Sequence, residues 1–314
     1  MPLTTPSDVG GSAARSVTAR LTRKGIDARS KLVEAVLIAA LALSLLVLLV
    51  LIIDLLIRSW PVWTERSGDF LSTNLNSQNA SQAGVGQAIR GTLILCVMVV
   101  VVAFPLGIAC AVYLEEYADK SLFARLTRVN VRNLAGVPSI VYGLLGLAIF
   151  VQALGGVTGG RTVFAGGLAL SALVLPIVVI TTSEALRAVP RSIREGALGV
   201  GATQWETVRS HVLPSAAPGI LTGTVLSLAR AAGEAAPVLL VGAATGLLRT
   251  GNQSLAEQLS GPFTALPVAI FSYARQPGDD FRAVTAAASI VLLVMVLFMN
   301  GVAIWLRNRF ENKW

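Results

Sequence analysis

Six long apolar runs, separated by shorter polar segments, dominate the pattern of the chain. They cover residues 33–57, 91–114, 134–154, 163–182, 218–241 and 284–306. A helix of about 20 apolar residues crosses the hydrocarbon core of a bilayer. The pattern therefore predicts an all-α integral membrane protein with six transmembrane helices. The apolar character of the fifth run extends to Leu248, which is more than one straight span needs.

The composition agrees with a membrane protein and excludes several soluble classes. Hydrophobic residues make up 54% of the chain and charged residues 13%, whereas a soluble domain carries about 25% charged residues. A soluble enzyme could not cover its surface with so few charges, and a disordered chain would hold fewer apolar residues. The first apolar run is too long for a signal peptide and no cleavage site follows it, so we expect it to be retained as an anchor helix.

The basic residues are distributed unequally over the loops, and this distribution predicts the orientation in the membrane. Of the 25 lysines and arginines, seventeen lie in the two terminal segments and in the loops after the second and fourth spans, and seven lie in the other loops. Because basic loops stay in the cytoplasm, we expect both termini there. Residues 1–32 then form a basic cytoplasmic tail and residues 33–314 the transmembrane domain. The tail has no aromatic residues for base stacking, so no nucleic-acid partner is expected.

One of the outer loops contains a semi-apolar stretch, residues 260–277, with prolines at positions 262, 267 and 277. Such a stretch predicts a short helix that lies on the outer face or dips into it.

The sequence lacks the motifs of an enzyme. No Gly-x-x-x-x-Gly-Lys-Ser/Thr motif is present, so the chain is not expected to hydrolyse a nucleotide through a P-loop. His211 is the only histidine, and no His, Cys and carboxylate residues have the spacing of metal ligands. We therefore expect a chain without catalytic residues, metal or cofactor of its own.

Arg230 and Glu234 form a charged pair inside the fifth apolar run. Their spacing of four residues places them on one face of a helix, and a position near the middle of the bilayer makes each charge costly. Such charges face the interior of a helix bundle or an aqueous path. Two interpretations stay open: a structural pair that locks this helix against a neighbour, or a fixed cation in an anion path, partly compensated by the carboxylate. Arginine suits the second role because its planar fork holds oxyanions through two hydrogen bonds.

The loop between the fourth and fifth spans, residues 187–215, carries a motif that resembles the EAA loop of ABC importer permeases. The residues of the motif are Glu195, Gly196, Ala197, Gly201, Leu213 and Pro214. In that family the loop forms a short helix that docks on the ATPase, so the resemblance implies ATPase coupling by these residues. Two positions depart from the family pattern: Gly196 replaces an alanine, and His211 replaces an isoleucine.

Further segments are similar to the phosphate (Pst-type) permeases of the same family. The segments are residues 91–92, 105–108, 113–117, 133–143 (NLAGVPSIVYG) and 229–237 (ARAAGEAAP). Residues 263–267, together with Tyr273, Pro277 and Asn300, resemble the PstA-type subunit more than its PstC-type partner. The resemblance covers residues 85–314 and implies a type I importer permease in the inner membrane of a bacterium.

The resemblance also implies the partners. A second, PstC-like permease chain would complete the translocation path, two PstB-like ATPase subunits would bind ATP and Mg²⁺, and a PstS-like extracytoplasmic protein would deliver phosphate. Membrane lipid surrounds the spans. The alternatives are an ABC permease for another oxyanion, such as phosphonate or sulfate, and a membrane scaffold protein without transport activity.

Overall fold

The computed structural model describes residues 28–118, 121–243 and 261–310. Every regular element within these residues is helical, which confirms the all-α prediction. The principal helices are α1 (Ala28–Ser72), α2 (Gly86–Val112), α3 (Leu122–Ala135), α4 (Ser139–Gly146), α5 (Val163–Ala188), α6 (Arg191–Gly199), α7 (Leu213–Gly233), α8 (Ala236–Val241), α9 (Leu266–Ala274) and α10 (Asp279–Phe310).

The chain divides into two compact units, and the division falls at Asp54 inside α1. The described part of the first unit is a single helix with exposed apolar side chains, as a lipid-facing anchor requires. The tail predicted over residues 1–32 lies mostly outside the described residues, and α1 begins at Ala28. In the second unit, the helical geometry of α1 is interrupted at Arg66, whose guanidinium donates hydrogen bonds to the carbonyls of Ala80, Ser81 and Ala83.

Helix α5 forms the centre of the second unit. Much of its length is buried, and α2 and α7 pack along it. Val99 of α2, Val174 and Val178 of α5 and Val238 of α8 belong to one buried cluster. Burial of apolar side chains stabilises the folded state by about 25 cal/mol per Å². Helix α5 is thus the element against which the other helices are positioned.

The third predicted span is bent. Helix α3 ends at Ala135, and a second run from Ser139 to Ala153 continues at an angle of 102° to it. Pro138 precedes the second run and disfavours helical geometry in the residue before it. The span predicted over 134–154 is therefore not one straight helix: its first two residues end α3, and the rest follows the break. Within the described residues, five helices are long and apolar enough to cross a membrane, and six if this bent pair is one span.

The fifth predicted span is interrupted as well. Helix α7 ends at Gly233, Glu234 has an extended backbone (φ −82°, ψ 113°), and α8 begins at Ala236. The single helix expected over 218–241 is thus corrected to two helices. Pro237 in the first turn of α8 explains the new start, since a proline there needs no backbone N–H donor. The extension towards Leu248 lies partly outside the described residues.

Helix α9 lies within the stretch predicted to form a short helix near the outer face. Its Tyr273 is fully buried, and the tyrosine hydroxyl donates a 2.7 Å hydrogen bond to the carbonyl of Gly84. The backbone N–H of Leu266 donates a 2.8 Å hydrogen bond to the Oγ1 of Thr92 in α2. A Cβ at Gly91 would lie 2.0 Å from the carbonyl oxygen of Thr264, so only glycine allows this crossing. The short helix therefore dips into the bundle beside the amino-terminal end of α2.

Candidate functional site

The loop predicted to couple to an ATPase is an ordered, largely helical segment, and we call residues 187–215 the coupling segment. It leaves α5 after Ala188, forms α6, and turns at Gly201. Gly201 has a φ of +91°, in the left-handed region that favours glycine. After the turn, Thr203 caps a helical turn with its side chain, and a π-helical turn (Val208–Val212) leads into α7.

The motif residues occupy different environments within the coupling segment. In α6, Glu195 and Gly196 are exposed while Ala197 is buried. At the other end, Leu213 packs partly buried against a cluster that contains Leu186 and Ile220. Gly201 and Pro214 are exposed, and so is His211, which departs from the family pattern. A Cβ at Gly196 would meet no atom within 4 Å, so the alanine of the family pattern would fit here.

Three exposed apolar side chains lie close to the motif, and the motif itself does not identify them. Leu198 is 51% exposed, Val200 87% and Trp205 57%. Leu198 and Val200 precede the turn at Gly201, and Trp205 follows Thr203, which caps the next helical turn. Exposed apolar side chains outside the membrane spans are available to contact a partner. The only sequence feature that indicates these exposed side chains is the presence of a valine and a tryptophan in a polar loop.

An ion pair joins the coupling segment to the carboxy-terminal end of α2, and the sequence alone did not predict it. Arg194 of α6 and Glu116 pair through Nη2–Oε1 at 2.6 Å and Nε–Oε2 at 3.1 Å. Glu116 belongs to the π-helical turn Tyr113–Tyr117 that continues α2. The two residues are 78 positions apart, so only the fold brings them together. The only signal in the sequence is the acidic pair within the YLEEY segment.

A second pair lies beside the first. Arg187, at the end of α5, donates two hydrogen bonds to the carboxylate of Glu115, at 2.8 and 2.7 Å. Arg128 of α3 approaches the same carboxylate at 3.9 Å and donates a 2.5 Å hydrogen bond to the carbonyl of Leu114. This second pair fastens α2 to α5 and α3. Arg187 is the first residue of the coupling segment, but it still belongs to α5, and the pair does not involve α6.

The predicted pair in the fifth apolar run is formed. The Nε of Arg230 lies 3.3 Å from the Oε1 of Glu234. Arg230 stands in the last turn of α7, where a cation interacts favourably with the helix dipole, and Glu234 is the residue at which the helix is broken. The arginine side chain is 56% exposed in the single chain, whereas the carboxylate side chain is 17% exposed. The guanidinium is therefore accessible and the carboxylate largely enclosed.

Solved structures with this fold identify its class. The chain superposes on a chain of a bacterial alginate ABC transporter with a TM-score of 0.66 and 18% sequence identity, over 91% of this chain and 96% of the other. It superposes on a chain of the MetNI methionine ABC transporter with a TM-score of 0.55 and 18% identity, over 73% and 98%. The fold is that of a type I ABC importer permease.

Sequence comparisons identify the family. A profile described as the binding-protein-dependent transport system inner membrane component matches residues 103–312. The phosphate transport system permease protein PstA of Xylella fastidiosa is 35% identical over 77% of this chain and 82% of its own length. The PstA protein of Mycobacterium leprae is 38% identical over 70% of each chain. The chain belongs to the family of binding-protein-dependent transport system inner membrane components, as a multi-pass membrane protein.

Proposed function

We propose that this chain is the PstA-type permease subunit of an ATP-driven importer of inorganic phosphate in a bacterial inner membrane. The observation that carries the proposal is the similarity to PstA proteins over most of the chain, at 35% identity over 245 residues with the Xylella fastidiosa protein. The type I importer permease fold supports the same conclusion. The chain forms one half of the translocation path and carries no ATPase activity of its own.

The coupling segment is the surface on which the ATPase docks. Its apolar side chains Leu198, Val200 and Trp205 are exposed on a polar loop and provide a hydrophobic contact surface. The motif residues Glu195, Gly196, Ala197, Gly201, Leu213 and Pro214 build and orient this surface. Since the ATPase is cytoplasmic, this end of the chain faces the cytoplasm, as the basic residues also predict.

Arg230 and Glu234 contribute to the path of the anion. The guanidinium of Arg230 is accessible, while the carboxylate that compensates its charge is largely enclosed. An accessible guanidinium binds a phosphate oxyanion through two parallel hydrogen bonds. At the break between α7 and α8 beside the pair, Gly233 is exposed and Glu234 is half-buried in the single chain. The alternative role of the pair, a structural lock between helices, is tested below.

The remaining parts of the importer are separate chains. A PstC-like permease completes the path, two PstB-like ATPase subunits bind ATP and Mg²⁺, and a PstS-like protein delivers phosphate at the outer face. This chain needs no cofactor of its own in such an assembly. Selectivity among oxyanions then rests mainly on the extracytoplasmic protein.

Uptake of labelled anions tests the proposal. Cells that lack their own phosphate importers would express this chain together with PstC-, PstB- and PstS-like partners, and a matched strain would lack only this chain. We expect labelled phosphate to accumulate only when the chain is present. Accumulation of labelled sulfate or phosphonate in place of phosphate would overturn the assignment of the substrate. Failure of an ATPase to purify with the chain would instead support a scaffold protein without transport activity.

A further inference from the structure

The ion pair between Glu116 and Arg194 is geometrically specific and largely removed from water. The side chain of Glu116 is 8% exposed and that of Arg194 is 22% exposed. The guanidinium contacts both carboxylate oxygens, which fixes the orientation of the arginine as well as its distance. Loss of one partner leaves the other charge uncompensated in an enclosed site.

The hydrogen bonds around the pair extend this connection to both halves of the coupling segment. Arg194 also donates to the carbonyls of Leu186 and Val189, each at 2.9 Å, and so holds the corner between α5 and α6. Gln204, which follows the turn at Gly201, donates a hydrogen bond from its Nε2 to the carbonyl of Glu116. Glu116 thus contacts the segment before the turn through its side chain and the segment after the turn through its carbonyl.

Covalent connections do not provide this link. The coupling segment is continuous in sequence with α5 and α7, and α2 belongs to an earlier part of the chain. A movement of α6 reaches α5 and α7 through the backbone, but it reaches α2 only through side-chain contacts. Among these contacts, the Glu116–Arg194 pair joins α6 itself to the carboxy-terminal continuation of α2.

Helix α2 extends the connection to the opposite end of the bundle. Its 27 residues span about 40 Å, and its amino-terminal end is fastened to the segment before α9. The Thr92 hydroxyl accepts a hydrogen bond from the backbone of Leu266, and Gly91 lies against Thr264. One helix therefore contacts both the coupling segment and the segment that dips into the bundle at the other end.

We propose that Glu116 and Arg194 are positioning residues that make α2 follow the movement of the coupling segment. The proposal rests on the proposed function, because it requires that an ATPase moves that segment. With the pair intact, closure of the ATPase displaces α6 and α2 together, and the displacement reaches the contact between Thr92 and Leu266. With the pair broken, the ATPase still docks and hydrolyses ATP, but α2 no longer follows.

The test measures coupling in the complete complex. The chain and its partners are purified and reconstituted in liposomes, and ATP hydrolysed is compared with labelled phosphate transported. For Glu116→Gln, we expect normal amounts of co-purified ATPase and at least about a five-fold rise in ATP used per phosphate. A ratio that stays at the wild-type value in Glu116→Gln would overturn the proposal.

A matched control tests whether the effect is specific to the Glu116–Arg194 pair or follows from the loss of any ion pair at this end of α2. Glu115→Gln removes a neighbouring arginine–carboxylate pair of the same geometry, which links α2 to the end of α5 and, through Arg128, to α3, but not to α6. We expect the ratio of ATP to phosphate to stay close to the wild-type value in this variant. An equal rise in both variants would show that the end of α2 needs its charges only for packing, against the proposal. If Glu116→Gln lowers the amount of complex, Arg194→Lys is the variant to measure. Lysine keeps the positive charge but cannot make the two parallel hydrogen bonds of the guanidinium. An unchanged ratio of ATP to phosphate in Arg194→Lys would also overturn the proposal.

A cross-linking experiment separates failure of this proposal from failure of the proposed function. A cysteine at Leu198, introduced with Cys96 and Cys110 replaced by alanine, should cross-link to the ATPase in the wild-type complex and equally in Glu116→Gln. Absence of the cross-link in both would refute docking of the ATPase on the coupling segment. A cross-link in both, combined with an unchanged ATP-to-phosphate ratio, would refute only the positioning role of the pair.

Discussion

Two arginine–glutamate pairs in this chain differ in how far each guanidinium is exposed. Arg194 is largely enclosed, and its donors are engaged by a carboxylate and two carbonyls. Arg230 is more than half exposed in the single chain, and it approaches Glu234 through Nε. An engaged guanidinium holds protein segments together, whereas an accessible one has donors for a ligand. The same residue types therefore favour a positioning role in one place and an anion-binding role in the other.

The role of Arg230 can be decided by comparing a single with a double variant. Arg230→Gln removes the cation and leaves Glu234 without its partner, so we expect uptake of labelled phosphate to fall steeply. In Arg230→Gln with Glu234→Gln, no charge remains to be compensated, and the complex should assemble. If Arg230 binds the anion, the double variant still fails to transport. Near-normal uptake by the double variant would show instead that the pair is a structural lock.

The turn at Gly201 provides a further prediction at the residue scale. An aspartate in the left-handed conformation is strained relative to glycine by about 1 kcal/mol, and it adds a charge beside the proposed docking surface. We expect Gly201→Asp to be inserted in the membrane at normal levels and to transport little phosphate. Gly199→Asp is the matched control, because Gly199 is helical and a Cβ there meets no atom within 4 Å. An equal loss in the control would assign the effect to the charge and not to the turn.

At the scale of elements, α2 and the backbone before α9 cross closely near the amino-terminal end of α2. The backbone before α9 passes so close to Gly91 that no side chain fits between them. Next to this crossing, Thr92 and Leu266 are joined by a buried hydrogen bond. Steric fit and a satisfied polar group together hold α9 in place.

A methyl group at Gly91 should disturb this crossing. Its Cβ would lie 2.0 Å from the Thr264 carbonyl oxygen, so α2 or the segment before α9 must shift. We expect Gly91→Ala to lower the thermal stability of the purified complex, with a cost of about 1–3 kcal/mol for overpacking. Gly68→Ala, where a Cβ meets no atom within 4 Å, should not lower the melting temperature, because alanine is the better helix former. A melting temperature for Gly91→Ala equal to that of the wild type would contradict the described crossing.

The sequence predicts the helices well because apolar length alone distinguishes membrane spans. It fails where a helix is interrupted inside an apolar run. Pro138 indicates the bend between α3 and α4, and Pro237 indicates the start of α8. Neither proline predicts the 102° angle of the bend or the end of α7 at Gly233. The position and angle of such breaks depend on packing against neighbouring helices. The residues of a single apolar run do not specify which helices will pack against it.

In the candidate site too, local features are predictable from the sequence, whereas contacts between distant residues are not. The pair of Arg230 and Glu234 is local, so its spacing in the sequence predicts it. The pairing of Glu116 with Arg194 joins residues 78 positions apart, and several other arginines were equally available from the sequence. Burial of one particular pair is a property of the assembled bundle.

At the scale of the whole molecule, α2 separates two segments that should face opposite sides of the membrane. The polar segment before α2 contains the exposed Gln78, and the coupling segment at the other end contains the exposed Ser192. If both termini are cytoplasmic, the first of these segments faces outwards and the second inwards.

Labelling of single cysteines in intact cells checks this orientation. A cysteine at Gln78 should react with a thiol reagent that cannot cross the membrane, and a cysteine at Ser192 should react only after the cells are opened. Both side chains are exposed in the structure, so burial does not explain a difference between them. The reverse pattern of labelling would contradict the cytoplasmic location of the coupling segment.

The hydrogen bond from the Leu266 amide to Thr92 has a consequence for hydrogen–deuterium exchange. This amide is buried and bonded to a side chain of another helix, so it exchanges only when α9 and α2 separate. Its exchange rate therefore measures how often that end of the bundle opens. If α2 follows the coupling segment, nucleotide bound by the ATPase changes this rate from the opposite side of the membrane, and a single amide becomes a reporter of the transport cycle.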